Sequence, residues 1–228
     1  MIRALVTGAN GYIGRHVVQA LLDKGVEVAA VDLDIDDIPD GAEKYILNIF
    51  DPDIKIIKET GSPDIVVHMA WKDGFVHNSP AHMEFLSDHY KFCIRVANSS
   101  IKTLAVMGSM HEVGYWEGPV DENTPCNPLS LYGVAKNSLR QSLMLALKDK
   151  KDKINFQWLR AYYIYGDDRR ASSIFAKIIA AEERGDKLFP FTTGKNKYDF
   201  ISVKMLAEQI AACVLQDKVN GIINCCTG

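Results

Sequence analysis

The chain has 228 residues, 47% hydrophobic and 24% charged, with a net charge of −3. That length supports one ample core with at most a small appendage, and the charge gives no electrostatic basis for binding nucleic acid or an anionic membrane. No run of about 18 apolar residues occurs and no basic-then-apolar leader opens the chain, so neither a membrane span nor a secretion signal is expected.

Ile2, Ala4, Leu5 and Val6 read as a buried strand, followed at once by Thr7-Gly8-Ala9-Asn10-Gly11-Tyr12-Ile13-Gly14 and a helical pattern. Three glycines at three-residue spacing between a strand and a helix suit a phosphate. Gly8 permits the tight turn, Gly11 lets a pyrophosphate approach the backbone, and Gly14 lets the helix pack closely. The helix N-terminus then faces the anion, which makes Asn10, Tyr12 and Ile13 expected contacts as well. Ile13, Val17, Val18, Leu21 and Leu22 form one apolar helix face, stopped at Gly25.

A second strand, Val26 to Val31, ends at Asp32, 18 residues beyond Gly14. A carboxylate there accepts hydrogen bonds from an adenosine ribose and repels a 2′-phosphate. No Arg or Lys follows in 33–37, so NAD is favoured over NADP, although Arg15 keeps a phosphate partner in reach. Lys44 to Leu47 reads as a third strand, after which Asn48 and Ile49 are placed to meet an adenine ring. A short helix is expected over 51–60. Asp64 to Met69 is a fourth, fully buried strand ending at Ala70-Trp71, where a small residue suits close passage of a cofactor, and its His68 reads as a core histidine.

Residues 72–80 read as a loop, 81–98 as a helix and 102–107 as a fifth strand. This alternation predicts a doubly wound parallel sheet covered on both faces, with ligands at the C-terminal ends of its strands. The loop 108–118 places Ser109, His111 and Glu112 at such an end. A helix starting near Leu131 carries Tyr132 and Lys136, which share a face at i, i+4. A Lys ammonium beside a phenol lowers its pKa toward working pH. Residues 167–198 read as loop, 203–215 as a helix and 222–225 as a last strand. The five cysteines include one adjacent pair and no C-x-x-C, so reduced thiols in a cytoplasmic protein are expected, with no metal site.

The T-G-x-x-G-x-x-G turn at 7–14, Asp32, H-M-A at 68–70, Ser109, Y-x-x-x-K at 132–136 and L-R-x-x-x-x-Y-G at 159–166 occur together and in order. Jointly they resemble the extended short-chain dehydrogenase/reductase superfamily, the NAD-dependent sugar epimerases and dehydratases. The resemblance implies a Rossmann domain over 1–160 and a small substrate lobe over 161–228, interleaved with the sheet. It implies Tyr132 as the proton-transfer residue on a sugar hydroxyl or ketone, Lys136 on the nicotinamide ribose, and Ser109 on the reacting oxygen. Met69 and Ala70 would lie along the cofactor, and Trp71, Trp116 and Tyr163 would wall the pocket. Substrate contacts are expected at His111, Glu112 and Tyr163, and His89 falls where relatives carry an asparagine.

The loop S-M-H-E-V-G-Y departs from most relatives. It is similar to the S-N-H-x-x-G-(F/Y) loop of hexuronate dehydrogenases, and Met110 and His111 replace the Thr-Asp of dehydratases, so dehydration is disfavoured. The arginine that relatives set on a diphosphate is Tyr198 here, with Lys197, Arg169 and Arg170 as replacements. The expected activity is epimerisation of a sugar or sugar nucleotide, with sugar dehydrogenation or keto-sugar reduction as the alternative and a non-catalytic NAD-responsive regulator as a third reading. A homodimer through the helices 81–98 and 131–150 is expected, and relatives run on past Gly228, which points to a shortened C-terminus.

Overall fold

The computed structural model describes residues 1–228 except 122, 151, 167–172, 192 and 196. Nine strands and seven helices are described: β1 (Arg3–Thr7), α1 (Gly14–Leu22), β2 (Glu27–Asp32), β3 (Glu43–Ile46), α2 (Ile56–Glu59), β4 (Ile65–His68), α3 (Ala81–Glu84), α4 (Leu86–Ala97), β5 (Thr103–Ser109), α5 (Leu131–Ala146), β6 (Asn155–Ala161), β7 (Tyr163–Tyr165), α6 (Ile174–Glu183), β8 (Phe200–Ser202), α7 (Val203–Val214) and β9 (Gly221–Cys225). Seven strands form one sheet in the order β3-β2-β1-β4-β5-β6-β9, and every pairing in it is parallel.

Strands buried on both faces need apolar residues at successive positions, which is how β1, β2, β4 and β5 read. Ala4, Val6, Val28 and Ala30 pack toward α1 and α7, whereas Leu5, Ala29, Val31, Val66 and Leu104 pack toward Phe92 of α4 and Leu139 and Leu143 of α5. The chain leaves β1 toward β2 on one side and toward β4 on the other. Their C-terminal ends therefore open a crevice at this reversal, where open α/β sheets bind ligands. After residue 160, α7 and β9 return to the main sheet, while β7 and β8 pair separately.

Three predicted elements differ in detail. The helix expected over 51–60 is only Ile56–Glu59, because the Asn48 and Asp51 side chains accept from Phe50 N–H and Asp53 N–H and hold the preceding residues in turns. The helix expected over 81–98 breaks at Phe85 into α3 and α4. Within 167–198, expected as loop, α6 forms behind Ser173, whose hydroxyl accepts from Ala176 N–H at 3.0 Å. Most of the apolar stripe assigned to a dimer face on α5 belongs to the core: Leu139, Leu143 and Leu147 are buried. No helix among the described residues is long and apolar enough to cross a membrane.

Candidate active site

The glycine turn is closed by backbone contacts that leave no room for side chains. A Cβ on Gly8 would sit 2.5 Å from Ala70 N, and one on Gly14 would sit 2.0 Å from Gly8 O. Gly8 also has φ +70, in the region that favours glycine. α1 starts at Gly14 with no side-chain cap and no acidic residue in its first turn; Arg15 and His16 N–H donate to Gly11 O and Ile13 O, so what the turn offers an anion is the positive end of α1 with no carboxylate set against it. Asp32 is oriented at the mouth of this turn, its carboxylate accepting from Asn10 N–H at 2.9 Å and Leu33 N–H at 2.8 Å. Asn10 in turn accepts from Asp37 N–H, and the Tyr12 hydroxyl donates to Gly166 O. An uncapped helix end, a cradle that a Cβ would fill and a carboxylate beside it fit a dinucleotide with an unphosphorylated ribose.

One cavity of about 1440 Å³ begins at this turn. It exceeds the roughly 300–1,000 Å³ of an ordinary small-molecule pocket and has room for two ligands side by side. Gly8, Gly11, Tyr12, Ile13, Gly14, Asp32, Asn48, Ile49, Met69 and Ala70 border one part; Ser109, His111, Tyr132, Lys136 and Tyr163 border the other. Ile49 is also core, only 6% exposed. Trp71 and Tyr163 line the cavity, whereas Trp116 stands apart, 44% exposed and donating to Pro119 O. Arg169 and Arg170 lie outside the described residues. Among the described residues no cluster of His, Cys, Asp or Glu could hold a metal ion.

β5 carries Ser109 to the strand end, and α5 brings Tyr132 and Lys136 against it. Burial pushes the Tyr132 phenol up to about 12, while a hydrogen bond with the Ser109 side chain pulls it down. Lys136 is 3% exposed, and burial pushes its ammonium down to about 7. The expected lowering of the phenol by the ammonium is not what the structure shows. The Lys136 ammonium donates to Met107 O at 2.7 Å and lies 3.7 Å from the Trp71 ring centre, against 5.8 Å from that of Tyr132. A carbonyl and an indole face satisfy the buried cation, so Met107 and Trp71 set its position.

Glu112 requires a correction. It is fully buried and does not border the cavity. Its carboxylate accepts from Ser109 N–H at 2.7 Å, closing a capping box over a short 3-10 turn, and from Trp158 Nε1–H at 2.9 Å and Arg160 at 3.2 Å. It faces the interior because its cations, Arg160 and Arg140, are there, and it is not positioned to touch a substrate. His111, in contrast, lies on the cavity wall, where burial pushes it down to about 4. His77, from loop 72–80, is the residue sequence reasoning missed: its ring centre is 4.3 Å from that of His111 and 5.7 Å from that of Tyr132. Nothing in its local sequence distinguishes it.

His68 is a core histidine with a specific task. Its Nδ1 lies 2.8 Å from Thr7 Oγ1 and its Nε2 2.9 Å from His89 Nδ1. Burial pushes His68 down to about 3 and His89 below the ordinary imidazole range. The folded state thus refuses protons that the unfolded chain accepts below about pH 6.5. Stability is therefore full above that pH and falls as pH drops from 6.5 toward 3. Unfolding free energies from denaturant titrations at successive pH values should decline with a slope approaching ~1.4 kcal/mol per pH unit for each histidine. A His68→Phe, His89→Phe double variant should flatten the decline, and an unchanged slope would assign it elsewhere.

The sequence model of the NAD dependent epimerase/dehydratase family matches residues 4–226. The chain is 43% identical over 228 residues to a dTDP-6-deoxy-L-talose 4-dehydrogenase (NAD(+)) of Aggregatibacter actinomycetemcomitans, covering 98% of this chain and 84% of that protein. It is 24% identical to a UDP-glucose 4-epimerase of Lactobacillus helveticus, covering 91% and 70%. Among solved structures, UDP-N-acetylglucosamine 4-epimerase from Methanobrevibacter ruminantium superposes with a TM-score of 0.81 at 23% identity, covering 98% of this chain and 76% of that one. A dTDP-glucose 4,6-dehydratase from Streptomyces venezuelae gives 0.83 at 16%, covering 98% and 75%. With its glycine turn, its Ser-Tyr-Lys wall and this near-complete match, the chain belongs to the NAD-dependent epimerase/dehydratase family of enzymes.

Proposed function

We propose that the protein is an NAD-dependent oxidoreductase that interconverts a carbinol and a ketone at C4 of a nucleotide-activated 6-deoxyhexose. The observation that carries this reading is the single cavity joining the glycine turn to Ser109, Tyr132 and Lys136. The 43% identical relative, named for a 4-dehydrogenase reaction, supports the choice of a net redox reaction and of the sugar class.

Tyr132 exchanges the proton at the reacting oxygen, and Ser109 hydrogen-bonds that same oxygen. Lys136 would hold the cofactor's ribose next to the reacting centre. Bound in the cavity, the nicotinamide supplies hydride exchange. Of the residues that line the cavity, Asn48 and Ile49 would hold the adenine end, Met69 and Ala70 would lie along the dinucleotide, and His111 and Tyr163 would contact the sugar. Tyr132 can give a proton to the oxygen in ketone reduction and take one from the carbinol in oxidation. Residues 1–160 bind the cofactor, and 161–228 supply the substrate lobe, whose working part is β7, α6 and β8. A homodimer through α4 and α5 is part of this reading, resting on exposed Met144 and Leu145.

The test is a panel of nucleotide-activated hexoses, followed at the NADH absorbance band and by product analysis. A stoichiometric absorbance change with a dTDP-6-deoxyhexose or its 4-ketone is the expected result. An inverted sugar with no net absorbance change would make it an epimerase, and no turnover across the panel would favour a regulator.

A further inference from the structure

Loop 72–80 has two separate relations to the site. Gly74, Phe75 and His77 line the cavity. The same loop also caps the catalytic helix. The first N–H groups of a helix have no partner within it. In α5, Leu131 N–H donates to Asn78 Oδ1 at 3.1 Å and Tyr132 N–H donates to His77 O at 2.9 Å. Gly133 N–H is met by the Ser130 hydroxyl at 3.2 Å. Two of these three partners come from a loop more than fifty residues earlier in the chain, and one of them holds the backbone of Tyr132 itself.

The loop is braced well enough to serve as a support. The Ser79 hydroxyl donates to Asp73 Oδ2 at 2.6 Å and accepts from Ala81 N–H. His82, 1% exposed, joins the two sides of the loop: its Nδ1 accepts from Trp71 Nε1–H at 3.0 Å and its Nε2 lies 2.9 Å from Val76 O. With one ring nitrogen accepting and the other facing a carbonyl, His82 is fixed as the Nε2–H tautomer. Trp71, held by His82, lies over the Lys136 ammonium. Both ends of the Tyr132–Lys136 pair therefore rest on one braced segment.

We propose that loop 72–80 is the positioning element of the catalytic helix: Asn78 and the His77 carbonyl set the position of Tyr132, and contact of a substrate with Phe75 or His77 is transmitted to Tyr132 through those two bonds. The inference rests on the reading of Tyr132 as the proton-transfer residue. Asn78 itself does not border the cavity, so an effect of its removal on turnover cannot come from a lost substrate contact.

The test compares Asn78→Ala, which removes the acceptor, with Asn78→Asp, which keeps an oxygen in place. The Ala variant should lose on the order of tenfold in kcat, since small misplacements of a reacting group are costly. Its KM and its affinity for NAD, read by fluorescence titration, should stay within about twofold, because Asn78 does not border the cavity and the loop meets the glycine turn through Phe75 on Tyr12 instead. Loosening Tyr132 from Ser109 should also move the ascending limb of the kcat–pH profile for alcohol oxidation to higher pH. Asn78→Asp should restore kcat and the profile. Melting temperatures establish that both variants fold, and Asn78→Ser replaces the Ala variant if it does not. Unchanged kcat and pH profile in the Ala variant, or equal loss in the Ala and Asp variants, would overturn the inference alone. Turnover surviving Tyr132→Phe would overturn the functional reading and this inference with it.

Discussion

Replacing Tyr132 by phenylalanine should abolish sugar-dependent turnover while leaving NAD binding intact. The phenol borders the cavity beside Ser109, whereas the glycine turn, Asp32 and the uncapped start of α1 lie at the opposite part of the same cavity. Only the hydroxyl is removed, and the ring contacts with His77, His82, His111 and Trp71 survive in phenylalanine, so the fold should be preserved. Loss of a positioned general acid or base costs roughly 10²–10⁴ in rate, and kcat should fall by that factor with an unchanged NAD titration. The wild-type pH dependence gives a second check. Burial holds the free-enzyme phenol near 12, so it is protonated at neutral pH. Ketone reduction should proceed well at neutral pH, and alcohol oxidation should rise with pH. A Phe variant that still turns over sugar at a comparable rate would remove Tyr132 from the chemistry and favour a cofactor-responsive, non-catalytic role.

The parts of this site that were legible in the sequence are those whose chemistry is carried within a few residues. Gly8, Gly11 and Gly14 make the turn with their own backbone, and their clearances bear that out. Tyr132 and Lys136 share a helix face whatever surrounds them. Asp32 needs only to end the strand after the turn. What was not legible depends on residues far along the chain. Whether Glu112 points into the cavity or away from it is decided by Trp158 and Arg160, 46 and 48 residues later. The direction of the Lys136 ammonium depends on Met107 O and the Trp71 face, and the role of His77 on where α5 begins. The helix α6 was not legible although Ser173 before an apolar run is a start signal, because Ile174–Ala181 is apolar nearly all round and shows no polar face to mark the helical period. Sequence spacing places groups on a strand end. Packing from β6 and loop 72–80 decides which of them reach the substrate.

That distinction predicts a large effect at Glu112. In the dehydratase arrangement a glutamate at this position would take a proton from the substrate, and its loss would lower kcat while sparing stability. Here the carboxylate is fully buried and is the shared acceptor for Ser109 N–H, Trp158 Nε1–H and Arg160, with Arg140 at 3.5 Å. The Arg160 side chain is itself only 3% exposed, so removing the carboxylate leaves a guanidinium in the interior without its counter-charge. Breaking a buried pair on one side costs about 3–5 kcal/mol. For a domain of this size that corresponds to a fall of roughly 6–20 °C in Tm. Gly108 is part of the same arrangement, since a Cβ there would lie 2.2 Å from Trp158 Nε1 and 2.8 Å from Glu112 Oε1. Glu112→Ala should therefore lower Tm by that amount. Glu112→Gln, which keeps the shape but not the charge, should fall between it and the wild type. Activity should fall only as far as Ser109, whose N–H the carboxylate holds, is displaced. A Gln variant with a wild-type Tm and a kcat reduced a hundredfold or more would reverse the assignment and return Glu112 to the chemistry.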